Sequence, residues 1–400
     1  MEVKETNNNN KHSSWNLIFI AFLNVVILQT AMYVTLPSFA QMQHIFNTTS
    51  NNIQLTYSYF MLGVGIYVFF YGYINTKFSF RTILLTGNII FVIASILSFL
   101  IRKIEFLFLF RVLQGIGAGS GSLSIITALL RINYEGTVFA KLISYLVSAT
   151  MVISILAPLI GGYLQKIFGW SGNFIFTIIL STVITVITYL FLKNINFKTS
   201  GESYFKILKS HLTHRNFMVH MIYSIIVSAL LNSFNVVAPF LLNDIGVSAI
   251  WLGYILASVS LIFGVGSYAN SQLVSRFSCR VMIQIALIIS TLATLALLIV
   301  NYVQPLSALT LIVPVWFYAF GAAILYPNVI SKGFSEIKLH SATSASILGS
   351  MQLIAIFVAT SITAMLPEKT AIPYAWFVII LQILLLILIV LFNREYLWRK

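Results

Sequence analysis

The sequence Arg111-Val-Leu-Gln-Gly-Ile-Gly-Ala-Gly-Ser-Gly121 places a full positive charge inside a long apolar segment. A charged side chain at membrane depth costs several kilocalories per mole unless it faces protein or a water-filled cavity. Arg111 is therefore predicted to belong to a functional site. The glycines at 115, 117, 119 and 121 are small enough to let a helix approach its neighbours closely.

The composition of the whole chain is that of an integral membrane protein. The chain is 59% hydrophobic and 8% charged, whereas soluble domains carry about 25% charged residues. Its 400 residues can hold about a dozen segments of the roughly 20 residues that a helix needs to cross a bilayer. The apolar runs are continuous, which disfavours a barrel of short alternating strands. We therefore expect an all-α membrane protein.

Apolar runs and their breaks predict twelve helices. Pro37 is expected to end the first, and Pro239, Pro314 and Pro327 are expected to break the seventh and the tenth. The predicted bounds are α1 Trp15–Leu36, α2 Ile53–Ile74, α3 Thr82–Ile101, α4 Ile104–Leu130, α5 Thr137–Leu164, α6 Asn173–Leu192, α7 Asn216–Leu242, α8 Ile250–Val274, α9 Val281–Val300, α10 Leu306–Ile330, α11 Ser341–Leu366 and α12 Tyr374–Phe392.

The positive charges are distributed unevenly between the two sides of this arrangement. With a cytoplasmic N-terminus, 18 of the 23 lysines and arginines fall in cytoplasmic loops and tails, and Arg111 lies at membrane depth. The outer loops hold only Arg102, Lys103, Lys166 and Lys369. This bias follows the positive-inside rule and predicts that both termini are cytoplasmic. It explains the net charge of +14 without a nucleic-acid partner.

A weak internal repeat indicates two halves. Lys77-Phe-Ser-Phe-Arg81 follows α2, and Arg276-Phe-Ser-Cys-Arg280 follows α8, the corresponding helix of the second half. Duplicated halves of this kind are typical of transporters. The predicted organisation is an N-terminal tail (1–14), a six-helix half (15–192), a basic cytoplasmic connector (193–215), a second six-helix half (216–392) and a basic tail (393–400).

At four places the chain resembles the major facilitator superfamily, most closely its drug:proton antiporters of the bicyclomycin- and chloramphenicol-resistance (Bcr/CflA) type. Gly72–Arg81 resembles the family loop Gly-x-Leu-x-Asp-Arg-x-Gly-Arg-Arg at Gly72, Lys77 and Arg81. The family aspartate, which supports an inter-helix charge lock, falls on Thr76, and the second glycine falls on Ser79. The resemblance covers nearly all of the chain and implies the twelve-helix fold of that family.

The other three places lie within helices. Arg111-x-x-Gln-Gly-x-Gly-Ala-Gly resembles the family's arginine motif in α4. Ala157-Pro-Leu-Ile-Gly-Gly162, followed by Trp170 and Phe174, resembles the antiporter motif of α5. The segment 341–352 resembles the small-residue start of α11. Pro158, Gly161 and Gly162 are predicted either to form a hinge or to pack closely against a neighbouring helix.

The resemblance also implies a central cavity lined from α1, α4, α7, α10 and their neighbours. Polar and aromatic side chains on these helices are the candidates for binding cargo or coupling its transport. They are Asn24, Gln29, Tyr33, Tyr59, Tyr67, Tyr71, Arg111, Gln114, Tyr223, Asn232, Asn235, Tyr254, Tyr318, Asn328 and Gln352.

All nine carboxylates are predicted to lie in tails, loops or helix ends. The related antiporters usually carry an aspartate in α1, where this chain has Ala31-Met-Tyr33. Three explanations remain open for the missing acid beside Arg111. Backbone carbonyls with Asn24 or Gln29 could satisfy it, or an anionic substrate could bind its two-pronged guanidinium. In the third case His220 would carry a coupling proton instead.

These features predict a secondary active transporter that works by alternating access and exports an amphipathic or anionic small molecule across the inner membrane by proton antiport. The alternative is an importer or facilitator of an anionic metabolite or carboxylate siderophore. An enzyme is not expected, because no P-loop, His-rich metal cluster or buried carboxylate pair is visible. The expected partners are the cargo, the lipid bilayer and protons. We expect no cofactor or metal, no removable signal peptide and a monomer.

Overall fold

The computed structural model describes residues 8–134, 136–193, 208–209, 212–335, 341–367 and 369–392. Within these ranges, 12 helices are long and apolar enough to cross a membrane, as predicted. Their bounds are α1 Asn8–Tyr33 continued by Phe39–Ile45, α2 Ser50–Ile74, α3 Phe80–Leu100, α4 Ile104–Gly119 continued by Leu123–Asn133, α5 Gly136–Phe168, α6 Trp170–Phe191, α7 Arg215–Asp244, α8 Ala249–Leu273, α9 Cys279–Val303, α10 Ala308–Ser335, α11 Ser341–Ala364 and α12 Ile372–Phe392.

The predicted tails and connector lie largely outside the described residues, so their limits remain predictions. The helix α1 begins at Asn8, earlier than its predicted start at Trp15, so its first turns belong to the predicted tail. Polar residues in water can extend a helix beyond its apolar part when no proline or glycine interrupts it. We call the end of the bundle where α6 ends and α7 begins the connector end, and the other the opposite end.

Pro37 does not end the first membrane span, which corrects the prediction. It lies in a 3₁₀ turn, Leu36–Ser38, after which the chain continues as the helix Phe39–Ile45. A proline near the start of a helical segment is tolerated because its missing N–H would have no partner there in any case. The result is an α1 that is interrupted at 34–38 and whose last part borders the cleft between the two halves.

Pro239, Pro314 and Pro327 also lie inside continuous helices and do not break them. Prolines persist in membrane helices when the neighbouring structure satisfies the backbone groups that they release. By contrast, α4 was expected to be continuous and is interrupted at 120–122. The interruption follows the glycine-rich segment and ends at Ser122, whose extended backbone precedes the second part of the helix.

Each of the four glycines after Arg111 contacts a different neighbouring surface. Gly115 lies against the backbone of Phe60 and Gly63 in α2, and Gly117 lies against the backbone of Gly87 and Phe91 in α3. Gly119 contacts the ring of Tyr67, and Gly121 contacts the backbone of Asn24 in α1. A Cβ atom at any of these positions would overlap its neighbour. The glycines therefore allow α4 to contact three helices closely, as the sequence predicted.

The two six-helix halves, α1–α6 and α7–α12, meet mainly through α2 with α11 and α5 with α8. Two hydrogen bonds between hydroxyl groups cross these interfaces, from Ser58 to Thr360 at 2.7 Å and from Tyr163 to Tyr254 at 2.7 Å. Near the connector end, Gly349 of α11 lies against Ser124 of α4. The halves therefore touch on both sides of the bundle.

In both copies of the internal repeat, the shared serine caps the N-terminus of the helix that follows. Ser79 accepts a hydrogen bond from the backbone N–H of Thr82 at 3.2 Å, at the start of α3. Ser278 accepts the equivalent bond from Val281 at 3.4 Å, at the start of α9. A serine at this position satisfies one of the free N–H groups of the first helical turn. The serine shared by both copies is thus explained by local structure.

Candidate functional site

Arg111 lies in a closed pocket of the first half and is only 2% exposed. Its Nη2 donates to Thr35 Oγ1 at 3.1 Å, between the two parts of α1. Its Nη1 donates to Gln114 Oε1 at 3.1 Å, and Gln114 Nε2 in turn donates to Ser95 Oγ of α3 at 2.9 Å. The guanidinium therefore joins α4 to α1 directly and to α3 through Gln114.

Two aromatic rings complete the surroundings of this charge. The guanidinium carbon lies 5.6 Å from the ring centre of Phe60 and 5.9 Å from that of Phe174. The negative face of an aromatic ring attracts a cation, most strongly when water is excluded. Only the Nε atom of Arg111 is buried without a hydrogen-bond partner. Phe60 and Thr35 were not among the predicted site residues, because phenylalanine and threonine are common in membrane helices and neither stands out in the sequence.

The carboxylates of the described residues do not neutralise Arg111. Glu105 and Asp244 are both exposed, and the other seven acids of the chain lie outside the described residues. The partners suggested from the sequence also need correction. Asn24 donates to Thr188 Oγ1 at 3.2 Å and accepts from Asn88 at 2.8 Å, so its polar atoms join α1 to α6 and α3. The bonds made by Arg111 go to Thr35 and Gln114 instead.

A cavity of about 300 Å³ lies between the two halves. Residues from α1, α5, α7, α8 and α10 line it, at positions near the middle of these helices. The lining residues are Gln29, Tyr33, Thr150, Met151, Ser154, Leu231, Asn232, Asn235, Val259, Ser260, Phe263 and Tyr326. The mixture of amides, hydroxyls and aromatic rings is typical of sites that bind small molecules.

Four predicted residues, Gln29, Tyr33, Asn232 and Asn235, come together in this cavity. Gln352 lies behind it, accepting a hydrogen bond from Tyr326 at 3.1 Å and donating to Ser224 at 3.0 Å. The sequence analysis missed the lining residues of α5 and α8 and Tyr326. A signal existed in α5, where Thr150 and Ser154 lie one helical turn apart on the same face.

The other predicted tyrosines do not line the cavity. Tyr223 is buried and donates to the carbonyl of Leu388 at 3.0 Å, which ties α7 to α12. Tyr59 packs between Phe108 and Phe357. Tyr254 is 42% exposed and bonds Tyr163 across the interface of the halves. Each of these tyrosines instead contacts another helix, either through its hydroxyl group or through its ring.

The remaining candidates lie elsewhere in the bundle. Tyr318 borders a narrow apolar cleft within the second half, and Tyr67 packs against Gly119. Tyr71 is buried in a hydrophobic cluster of the first half. Asn328 donates to Asn270 Oδ1 at 2.7 Å and thereby joins α10 to α8. A polar residue within a membrane helix thus more often bonds a neighbouring helix here than faces the cavity.

Tyr57 lies between the arginine pocket and the cavity. Its hydroxyl donates to Asn232 Oδ1 at 2.9 Å, linking α2 of the first half to α7 of the second. It is also close enough to Arg111 and to Asn235 to interact with both. Asn232 itself donates to the carbonyl of Ser228 at 2.9 Å. Tyr57 was not among the predicted site residues, yet it contacts both the arginine pocket and the lining of the cavity.

The loop between α2 and α3 holds its two basic residues within the first half. Lys77 lies over the ring of Tyr73 at 4.6 Å. Arg81 donates to the carbonyl of Tyr189 at 2.7 Å and lies 5.4 Å from the centre of its ring, fastening α3 to α6. Gly72 is buried near the end of α2. These contacts of Lys77 and Arg81 do not cross between the halves.

The motif of α5 contacts both halves at once. Gly161 lies against the backbone of Val34 in α1, and Gly162 lies against the backbone of Ala249 in α8. Gly253 of α8 lies against the carbonyl of Pro158. A side chain at any of these three glycines would overlap backbone atoms of the facing helix. Close packing of α5 is therefore established, whereas a hinge at Pro158 remains a prediction.

A second cleft, of about 240 Å³, opens toward the opposite end between the halves. Gln41, His44, Gln165 and Asn243 are among its lining residues. Along α1 and α7 it lies about two helical turns beyond the cavity, by the rise of a helix. The rings of Phe39 and Phe240, with centres 6.4 Å apart, pack across the two halves at the level of this cleft. The cavity and the cleft therefore lie one beyond the other along the interface between the two halves.

Twelve helices in two halves, with a cavity at mid-depth between them, define a transporter of small molecules. The chain belongs to the Major Facilitator Superfamily, whose sequence profile matches residues 21–360. This match confirms the family suggested by the motifs and makes the chain a secondary transporter, a multi-pass membrane protein.

Named relatives agree with this assignment. Multidrug resistance protein D of Escherichia coli (strain K12) is 26% identical over 359 residues, which cover 88% of this chain and 89% of that protein. The bicyclomycin resistance protein homolog of Haemophilus influenzae is 22% identical over 371 residues, covering 89% and 91%. The crystal structure of a D-xylose-proton symporter superposes with a TM-score of 0.74 at 16% identity, covering 94% of this chain and 97% of that one. This last likeness concerns the fold alone.

Proposed function

We propose that this protein exports amphipathic small molecules, including drugs, across the inner membrane by alternating access in exchange for protons. The observation that carries the proposal is the cavity of about 300 Å³ between the two halves, lined by amides, hydroxyls and aromatic rings. The relatives named for multidrug and bicyclomycin resistance support export as the direction.

Alternating access requires that the two halves rock about the cavity. The interfaces suit such a motion, because small residues and backbone carbonyls meet there, as at Gly162 with Ala249 and Gly349 with Ser124. The hydrogen bonds Ser58–Thr360 and Tyr163–Tyr254 cross the same interfaces and would be remade or lost in each cycle. Cargo in the cavity would then be exposed to one side at a time.

We place the connector end in the cytoplasm, together with both termini. The support is the distribution of lysine and arginine, which favours that side strongly. The cargo would enter from this side and leave through the cleft lined by Gln41, His44 and Asn243 at the opposite end. We propose that the protein works as a monomer, since both halves of one chain contribute residues to the cavity.

We propose that the proton is carried by a group other than a buried carboxylate, since Glu105 and Asp244, the two acids among the described residues, are exposed. Among the described histidines only His220 is buried, at 3% exposure, and its ring meets that of Tyr223 at 5.7 Å. Histidine changes its charge near neutral pH, so His220 is our candidate for carrying the proton. His220→Asn should then uncouple export from the pH gradient while cargo binding persists.

Import of an anionic metabolite receives less support. That alternative relied on Arg111 as the partner of a substrate carboxylate. Its Nη atoms donate to Thr35 and Gln114 and it is buried in the first half, outside the residues that line the cavity. An anion would have to replace these hydrogen bonds to reach the guanidinium.

The test is gradient-driven transport in proteoliposomes. Dye movement out of the compartment that corresponds to the cytoplasm should require an imposed proton gradient and stop when an ionophore collapses it. Asn235→Leu, which removes one amide from the cavity lining, should export the dye more slowly under the same gradient. Transport that continues unchanged without the gradient would exclude antiport, and movement only in the opposite direction would exclude export.

A further inference from the structure

The lining of the central cavity carries no formal charge on any described residue that contributes to it. Its polar groups are amides and hydroxyls, and the remainder are apolar or aromatic side chains. Transferring an ion from water into such surroundings is expensive unless an opposite charge or several hydrogen bonds compensate. A neutral molecule incurs no comparable cost.

The buried charge nearest to the cavity is isolated from it. Arg111 donates to Thr35 and Gln114 and lies between the rings of Phe60 and Phe174. Tyr57, which is 1% exposed and bonds Asn232, stands between Arg111 and the cavity. The guanidinium therefore cannot form a direct hydrogen bond with a molecule in the cavity while this arrangement persists.

One lining side chain retains an unused hydrogen-bonding atom. The Oε1 atom of Gln29 is buried and has no hydrogen-bond partner. Asn232, by contrast, is held by the hydroxyl of Tyr57 and by the carbonyl of Ser228. A buried polar atom without a partner costs free energy that a suitable bound group can recover. Gln29 lines the cavity, so a rotation of its side-chain amide would bring this unpaired oxygen to a hydrogen-bond donor of the cargo.

We propose that the cavity selects uncharged aromatic or apolar molecules that carry a hydrogen-bonding group for Gln29, and that it discriminates against both anions and cations of the same shape. This inference rests on the proposed function, since it names the class of cargo that the transporter takes. The aromatic rings of Tyr33, Phe263 and Tyr326 contact the apolar part of the cargo. Gln29 is a specificity-determining residue in this account.

The experiment compares three molecules that share one skeleton. N-phenyl-1-naphthylamine is neutral, its sulfonate is an anion, and its trimethylammonium derivative is a cation. Binding to the purified full chain is measured as an increase in melting temperature over a range of concentrations. The neutral compound is expected to bind at least about tenfold more tightly than either charged compound, which corresponds to about 1.4 kcal/mol.

Two variants test this selectivity by introducing a carboxyl group into the cavity, which should allow a cation to bind. Gln29→Glu places a carboxyl group in the cavity and should allow the trimethylammonium compound to bind at least as tightly as the neutral one at pH 8.5, because this pH lies far above the ordinary pKa of a carboxyl group and the bound cation favours its ionised form. Asn235→Asp provides the same test at another lining position, in case the first variant does not fold. Gln29→Leu is the uncharged control, and it should weaken binding of the neutral compound without admitting the cation.

The inference is overturned if the wild type binds the sulfonate or the trimethylammonium compound as tightly as the neutral one. It is also overturned if none of the three compounds stabilises the protein, or if folded Gln29→Glu and Asn235→Asp retain the wild-type order of binding. The proposed function fails separately, when gradient-driven export is absent for every compound tested. A protein that exports charged compounds would therefore contradict the inference and leave the transporter assignment intact.

Discussion

The arginine pocket and the central cavity differ in nearly every physical property. The pocket is closed and tightly packed and holds a full charge against Thr35, Gln114 and two aromatic rings. The cavity has space for a small molecule and is lined by uncharged side chains. Tyr57 connects them through its bond to Asn232. We propose from this difference that the buried charge organises the first half, while the uncharged cavity receives the cargo.

We expect the buried charge of Arg111 to support transport without contacting the cargo. Arg111 bonds Thr35, which directly precedes the 3₁₀ turn that joins the two parts of α1. A change in this turn during rocking would alter the environment of the guanidinium. A buried ion whose hydrogen bonds depend on conformation is a suitable element for biasing two states.

The largest expected effect comes from removing the charge. Arg111→Ala should reduce transport to the level of empty liposomes while the protein remains folded in the membrane. Arg111→Lys should recover little, because one ammonium group cannot bond Thr35 and Gln114 and also lie flat between two rings. Initial rates of dye efflux, normalised to the amount of protein, measure this effect.

The control for these variants is Arg102→Ala, which removes an exposed arginine just before α4. It should transport at a rate close to that of the wild type. Wild-type transport by Arg111→Ala would show that the arginine pocket has no part in the transport cycle. It would contradict the proposal that the charge of Arg111 organises the first half for transport.

The next effect concerns the packing that keeps the pocket closed. Gly115→Leu would force a side chain into the backbone of Phe60 and Gly63. Overpacking of this kind costs about 1–3 kcal/mol or more, so the melting temperature of the purified protein should fall clearly. Gly264→Leu is the matched control, because a Cβ at Gly264 meets no atom within 4 Å. Equal stability of the two variants would contradict the close approach of α2 and α4.

A smaller effect is expected at the link between the two regions. Tyr57→Phe keeps the ring but removes the bond to Asn232 across the halves. A hydrogen bond contributes about 0.5–1.5 kcal/mol, so the rate of transport should change by a few-fold. Tyr268→Phe, at an exposed tyrosine of α8, is the control. An unchanged rate in Tyr57→Phe would mean that the pocket and the cavity act independently.

The sequence was sufficient to predict the fold, because each membrane helix is encoded by its own apolar run and the glycines after Arg111 mark the closest contacts. The path of the chain at Pro37 was not predictable in the same way. In a sequence, a proline usually indicates the end of a helix. In the structure, Pro37 instead lies in a 3₁₀ turn, after which the membrane span continues. The three prolines of α7 and α10 gave the same incorrect expectation for the same reason.

The candidate site was predictable only in part. Gln29, Tyr33, Asn232 and Asn235 were identified because amides and tyrosines at membrane depth stand out in the sequence. Ser154 and Tyr326 were missed, because facing the cavity depends on how helices are rotated relative to each other. Asn24 and Asn328 bond neighbouring helices instead, and no feature of a single sequence separates these residues from those that line a cavity.

The most direct test of the account separates binding from transport at the two regions. Binding of N-phenyl-1-naphthylamine is measured by thermal stabilisation of Arg111→Met and Asn235→Leu beside the wild type. We predict that Arg111→Met binds with the wild-type affinity although it does not transport, and that Asn235→Leu binds about tenfold more weakly. Loss of binding in Arg111→Met, with binding retained in Asn235→Leu, would contradict the claim that the uncharged cavity receives the cargo.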